Sequence, residues 1–159
     1  MTRRRAARYG AIQALYQAEL TGRQIEAVIL EFERHRLADL LEPLEGQGPK
    51  PEVDRAWFVS LTRGAWRQAG ELDPMIQATL AEGWSLERAG YLLRAFLRAG
   101  AYELASKSDV PISVVINEYV ELAHDFLSKD EARFINAVLD RLAGQLRPGT
   151  GGPSGTTPT

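Results

Sequence analysis

Four arginines, Arg3, Arg4, Arg5 and Arg8, crowd the first eight residues, and no acid stands among them. A guanidinium is a planar fork of donors that grips phosphate in bidentate fashion, so such a cluster suits a polyanion. The same residues also read as a basic arm that is simply solvated and frayed. Charge alone leaves both readings standing. The whole chain has a net charge of −2, and its acidic residues are spread over the rest of the chain, so the basic character is local.

Other chemistry is hard to find. No cysteine is present, which excludes a disulfide framework and a thiolate metal site. His35 and His124 lie far apart, and neither belongs to an HxxxH or HxxE pattern. No phosphate-cradling glycine loop and no glycine-flanked nucleophile occurs. Acid pairs such as Glu118/Glu121 and Glu131/Asp140 have the spacing of solvated helix faces rather than of acid/base dyads. The reading is therefore of a protein without catalysis, cofactor or metal.

The elements that position these residues are helices throughout. The 159 residues are 45% hydrophobic, enough for one domain with a real core. Tyr9, Ile12, Tyr16 and Leu20 recur at helical spacing over about 4–20, and Gly22 is a C-terminal stop. A second helix is expected over roughly 25–41, with Ile25, Val28, Ile29, Phe32 and Arg36 on one side. Prolines and glycines make 42–52 a loop. Asp54 precedes a third helix through Trp57, Phe58, Leu61 and Ala65 to near Gly70. Asp73-Pro74 signals the start of a short fourth. Gly90 is expected to break the apolar run 86–104, leaving a main helix over about 92–105. Asp109-Val110-Pro111 opens another helix that turns Ile112, Val115, Ile116, Tyr119, Leu122 and Phe126 inward. Asp130 is expected to cap the last, where Phe134, Val138 and Leu142 form a stripe flanked by Ile135 and Leu146. From Arg147 to Thr159 glycine, proline, serine and threonine dominate, and a disordered tail is expected. No apolar run reaches membrane-spanning length, and the basic start lacks the apolar core of a secretory signal, so a soluble cytoplasmic protein is expected.

Four segments in order carry a family resemblance. They are RRRAARYGAIQALYQAEL at 3–20, the 57–76 region with RGAWRQAGELDPMI, WSLERAGYLLRAFLRAGAYELASKSDVP at 84–111, and INEYVELAHDFLSKDEARFINAVLDRLA at 116–143. The run AYEL, DVP, INEYVELA and FINAVLD at these spacings is the most specific part. The sequence resembles the NusB family of bacterial transcription antitermination factors.

That resemblance implies an all-α fold: a single compact bundle of about seven helices in two subdomains, spanning 1–146 and including a basic arm at 1–8 and the loop at 42–52. It implies binding of single-stranded boxA RNA together with NusE, a small-subunit ribosomal protein, within a transcribing RNA polymerase complex, so that terminators are read through, notably on ribosomal RNA operons. It leaves a homodimer open. It carries an RNA-binding role onto Arg3, Arg4, Arg5, Arg8, Asp130 and Phe134, and a NusE-binding role onto Tyr16, Leu20 and Arg94. On residue type alone, Phe134 and Tyr16 read as core, and Asp130 as a helix cap. Asn117 and Glu118 match polar positions of the motif and are read as structural, bonding backbone at a helix junction. The sequence departs from the family pattern at Leu93, where an acid is usual, and at Tyr91, Leu127 and Ala137. The loop at 43–51 is longer than typical. Two alternatives stand beside it: a NusB-like domain joined to an RNA cytosine methyltransferase, for which 159 residues leave no room, and a helical adaptor without RNA binding, against which the arginines argue.

Overall fold

The computed structural model describes residues 1–41 and 51–149. Among them lie seven α-helices and no strand. They are α1 (Arg3–Thr21), α2 (Ile25–Glu31), α3 (Arg55–Arg67), α4 (Ala69–Thr79), α5 (Tyr91–Ser106), α6 (Ile112–Phe126) and α7 (Lys129–Leu146). The proline-rich loop lies, through residue 50, outside the described residues, as does the tail from residue 150 onward.

The core follows the apolar periodicity. Helix α1 turns Ala7, Ala11, Ile12, Ala14, Leu15 and Ala18 inward, and α1 packs on both α3 and α5. Helices α5, α6 and α7 form the second packed group, with Phe96, Leu97, Val115, Leu122, Ile135 and Leu139 buried. At Gly90 the backbone has φ 88, a left-handed value that glycine adopts without strain, and the expected break occurs there. Gly100 serves close approach instead. A Cβ placed there would meet Leu139 Cδ2 at 2.9 Å, so the missing side chain lets α7 lie against α5.

Several local expectations are corrected. Asp73-Pro74 does not start a helix: Pro74 lies inside α4, which begins at Ala69 directly after the Gln68 junction with α3. The second helix stays α-helical only to Glu31; Phe32–Arg36 widen into a π-helical turn, and Leu37–Asp39 tighten to 3-10. Asp130 does not cap α7. Ser128 does, accepting from the Glu131 amide at 3.1 Å, while the Glu131 carboxylate accepts from the Ser128 amide. Phe126 is not core: it is 45% exposed and stacks on Tyr9 with ring centroids 4.4 Å apart. Arg147, expected at the start of the loose tail, is docked, donating to the carbonyls of Glu103 and Leu104 in the last turn of α5 and of Lys107 and Val110 in the turn that follows. No helix among the described residues is long and apolar enough to cross a membrane.

Candidate nucleic-acid interface

The N-terminal arginines are not a detached arm. Thr2 caps α1 by accepting from the Arg5 amide at 3.1 Å, so Arg3, Arg4 and Arg5 form the first helical turn. No acid of α1 occupies that turn. Positive side chains there add to the positive end of the helix macrodipole, an arrangement that an anion relieves. Arg3 is exposed and donates to the Glu52 carbonyl at 2.6 Å. Arg4 is exposed, with its guanidinium 3.9 Å from the centre of the Trp57 ring and 3.8 Å from Asp54. Arg5 is half-buried and donates to Glu118 at 2.5 Å.

Arg8 corrects the sequence expectation. Its side chain is 2% exposed, against 0% for Glu103. It donates from Nε and Nη2 to Glu103 at 2.9 and 2.6 Å, and from Nη1 to Glu118 at 3.2 Å. Tyr119 donates its hydroxyl to the same Glu103 at 2.9 Å. Burial works against the Arg8 charge, but the hydrogen bonds and field of Glu103 outweigh it and hold the guanidinium above its ordinary pKa. Burial, with Glu103 adding to it, pushes the Tyr119 hydroxyl well above its ordinary value. With both donor edges filled inside the core, Arg8 presents nothing to a phosphate. Glu118 bonds side chains of α1 rather than backbone, and Asn117 is exposed.

A second aromatic site lies at the start of α7. Phe134 is half-buried and meets Trp84 at 5.6 Å between centroids, with the rings tilted by 34°. Trp84 is 53% exposed. Together with Ala81, Leu93, Ala137 and Arg141 they line an open groove of about 380 Å³, and Asp130 and Glu131 stand on its rim. The Asp130 side chain is 93% exposed, with Arg133 3.8 Å away. Two rings left open to solvent beside each other are suited to stacking on unpaired bases. Trp84 was not singled out from sequence. Its signal was the turn position directly after Gly83, where a large aromatic has little reason to be buried.

The residues assigned to a partner divide. Tyr16 is half-buried against the core, and Leu20 is 51% exposed. Arg94 is turned inward: it donates to Glu19 at 2.6 Å and to the carbonyls of Leu86 and Glu87 at 3.2 and 2.6 Å. Glu19 also pairs with Arg98, which bonds Asp73 in bidentate fashion at 2.9 and 2.7 Å. Arg94 is thus a brace behind the Tyr16–Leu20 surface, not a free contact. Leu93 is 6% exposed, so its departure from the family pattern removes a charge from a nearly buried place.

Among the described residues no group of three or more histidines or carboxylates is placed to hold a metal. Both histidines are exposed.

A sequence model of the NusB family matches residues 5–144. The chain belongs to the NusB family. Among its relatives, the transcription antitermination protein NusB of Nitrobacter hamburgensis (strain DSM 10229 / NCIMB 13809 / X14) is 46% identical over 147 residues, covering 92% of this chain and 89% of that protein. That of Allorhizobium ampelinum (strain ATCC BAA-846 / DSM 112012 / S4) is 44% identical over 144 residues, covering 91% and 88%. The fold agrees as well. A structure of T. maritima NusB superposes with a TM-score of 0.72 at 28% identity, covering 93% of this chain and 94% of that one. A structure of the antitermination factors NusB and NusE in complex with dsRNA gives 0.72 at 24% identity, which speaks for the fold alone. The family membership and all-helical bundle expected from the sequence are those found.

Proposed function

We propose that this NusB-family protein is a cytoplasmic transcription antitermination factor that binds single-stranded boxA-type RNA jointly with NusE and performs no catalysis. The observation that carries the reading is the open Trp84–Phe134 pair, a stacking surface for bases. Arg3 and Arg4 supply exposed phosphate contacts, with Arg5 behind them in its pair with Glu118. Asp130 stands beside the RNA and disfavours phosphate close to the ring. Tyr16 and Leu20 meet NusE, and Arg94 steadies that surface through Glu19. The complex acts on transcribing RNA polymerase, and a homodimer is compatible with the chain.

The test is titration of boxA-type RNA into the wild-type protein, Phe134→Ala and Arg3→Ala/Arg4→Ala, each with and without NusE. Loss of a stacking ring should weaken binding by about 1–3 kcal/mol. Loss of the two guanidinium groups should flatten the log–log salt slope by about 1.4, at roughly 0.7 per phosphate on a single strand. Tyr16→Ala should weaken RNA binding only when NusE is present. Wild-type affinity and salt slope in both RNA-site variants would refute the assignment.

A further inference from the structure

A wide, open concavity of about 700 Å³ lies on α3, away from the Trp84–Phe134 groove. Arg55, Arg63 and Arg67 line it from one helix, with Ser60 between them, Gln68 just beyond and Tyr102 of α5 as the floor. The floor is a built feature. A Cβ on Gly64 would lie 2.0 Å from Tyr102 Cζ, so the missing side chain lets the ring lie against α3. Tyr102 remains half-buried, with part of its surface in reach.

The cations are only partly compensated. Arg63 holds Glu26 through bonds of 2.9 and 2.6 Å, and Arg67 stands 3.9 Å from the same carboxylate. The Glu26 side chain is 51% exposed and that of Arg67 is 65%, so solvent screens these pairs and they yield readily to another anion. Arg55 spends one donor on the Glu33 carbonyl at 3.1 Å. Glu26 faces two arginines, Glu33 lines the same groove and adds its field at Arg63, and a carbonyl faces Arg55, so three arginines and Lys107 stand against two acids.

The groove also connects to the arginine-rich end of α1. Arg4 lies over the Trp57 ring, Lys107 Nζ stands 4.9 Å from the same ring, and Lys107 donates to Ser60 on the groove wall at 2.5 Å. A cationic strip therefore runs from Arg4 past Trp57 and Lys107 to Arg63 and Arg67. Ten residues of α3 separate Trp57 from Arg67, about 15 Å of helix. Cations along a path, with half-buried aromatic rings set between them, are the chemistry that tracks a single-stranded nucleic acid without reading its sequence. An acidic peptide would use the cations but leave the aromatic floor idle.

We propose that the α3 groove binds single-stranded RNA flanking the segment held at Arg3 and Arg4, with its phosphates on the arginines and a base against Tyr102. This extends the footprint by a few nucleotides and rests on the RNA-binding reading above. The test compares a boxA-type core RNA of about 12 nucleotides with the same core carrying about 8 uridines on either its 5′ or its 3′ side. The full chain and Arg63→Gln/Arg67→Gln are titrated over a range of salt. One extension should tighten wild-type binding about 5–10-fold. The double variant should lose that gain and flatten the salt slope by about 1.4 on the extended RNA only, from roughly 0.7 per phosphate. Arg63→Lys/Arg67→Lys, which restores the charge, should recover both, and thermal melts should show all three proteins folded alike. If the core binds but neither extension helps, or the double variant keeps the gain, the groove assignment is overturned and the boxA reading survives. If the core does not bind while the extended RNA does and the double variant weakens it, the groove stands and the boxA reading falls. Loss of NusE binding by the double variant, with RNA binding unchanged, would make the groove a protein site and overturn the proposal.

Discussion

Arg8 shows why residue type and position do not settle a role. It belongs by spacing to the N-terminal cluster, yet it faces Glu103 in a core where both side chains are almost inaccessible. Removing one partner of such a pair leaves an uncompensated buried charge, so Glu103→Ala should cost about 3–5 kcal/mol in denaturant unfolding. Breaking the solvent-screened pair Arg23–Glu31 should cost far less, and equal losses would show that burial is not what matters. Tyr119 gives a second measurement. Its folded-state pKa lies above the ordinary 10.0, so its contribution is complete below pH 10.0 and is lost as pH rises through the folded value. Wild-type stability should fall more steeply above pH 10.0 than that of Tyr119→Phe, and parallel curves would remove the hydroxyl from the account. The exchange of Arg8 from phosphate ligand to core ion pair was not legible in sequence. Its counter-charge lies on α5, and nothing local to α1 announces it.

At the scale of elements, periodicity located the helices, and the misplaced boundaries have local causes. The SKDE sequence at 128–131 is itself a capping-box signature, and the structure uses it in preference to Asp130. Ser128→Ala should therefore cost about 1 kcal/mol, while Asp130→Ala should cost far less; thermal melts of the two variants separate these outcomes. Asp73-Pro74 carried a start signal that tertiary structure overrides. Asp73 is committed to Arg98, and α4 continues from the Gln68 junction through the proline. The π-helical turn at Phe32–Arg36 left no mark in an apolar pattern still readable at helical spacing. A glycine inside a helix such as Gly100 ordinarily carries a cost, and here a closer α5–α7 contact offsets it. Gly100→Ala should thus destabilise, against the usual helix preference for alanine, since Leu139 must shift to admit the methyl group. A stabilised variant would mean that Leu139 moves freely. For the candidate site, Phe134 and the exposed arginines were legible through the family resemblance. Trp84 and the α3 groove were not, because each depends on residues that only the fold brings together.

Across the whole molecule, contacts between distant segments hold the ends in place. Arg147 lies beyond the last turn of α7 and fastens the end of α5 by donating to four carbonyls. Each bond has a charged donor, so Arg147→Ala should lower stability by about 2–3 kcal/mol, and an unchanged melt would mean that water replaces it without loss. The Arg8–Glu103 pair spans 95 residues and has a consequence for the order of events in folding. During synthesis α1 emerges long before its counter-charge exists. An intermediate with α1 packed on α3, but without α5 and α6, would enclose a bare guanidinium at a penalty of several kcal/mol. That penalty leaves no half of the molecule a resting place of its own. The two helical groups should form and melt as one cooperative unit, with tryptophan fluorescence and far-ultraviolet ellipticity tracing a single transition. Premature docking is discouraged by the same ion pair that later locks the first helix to the rest of the bundle.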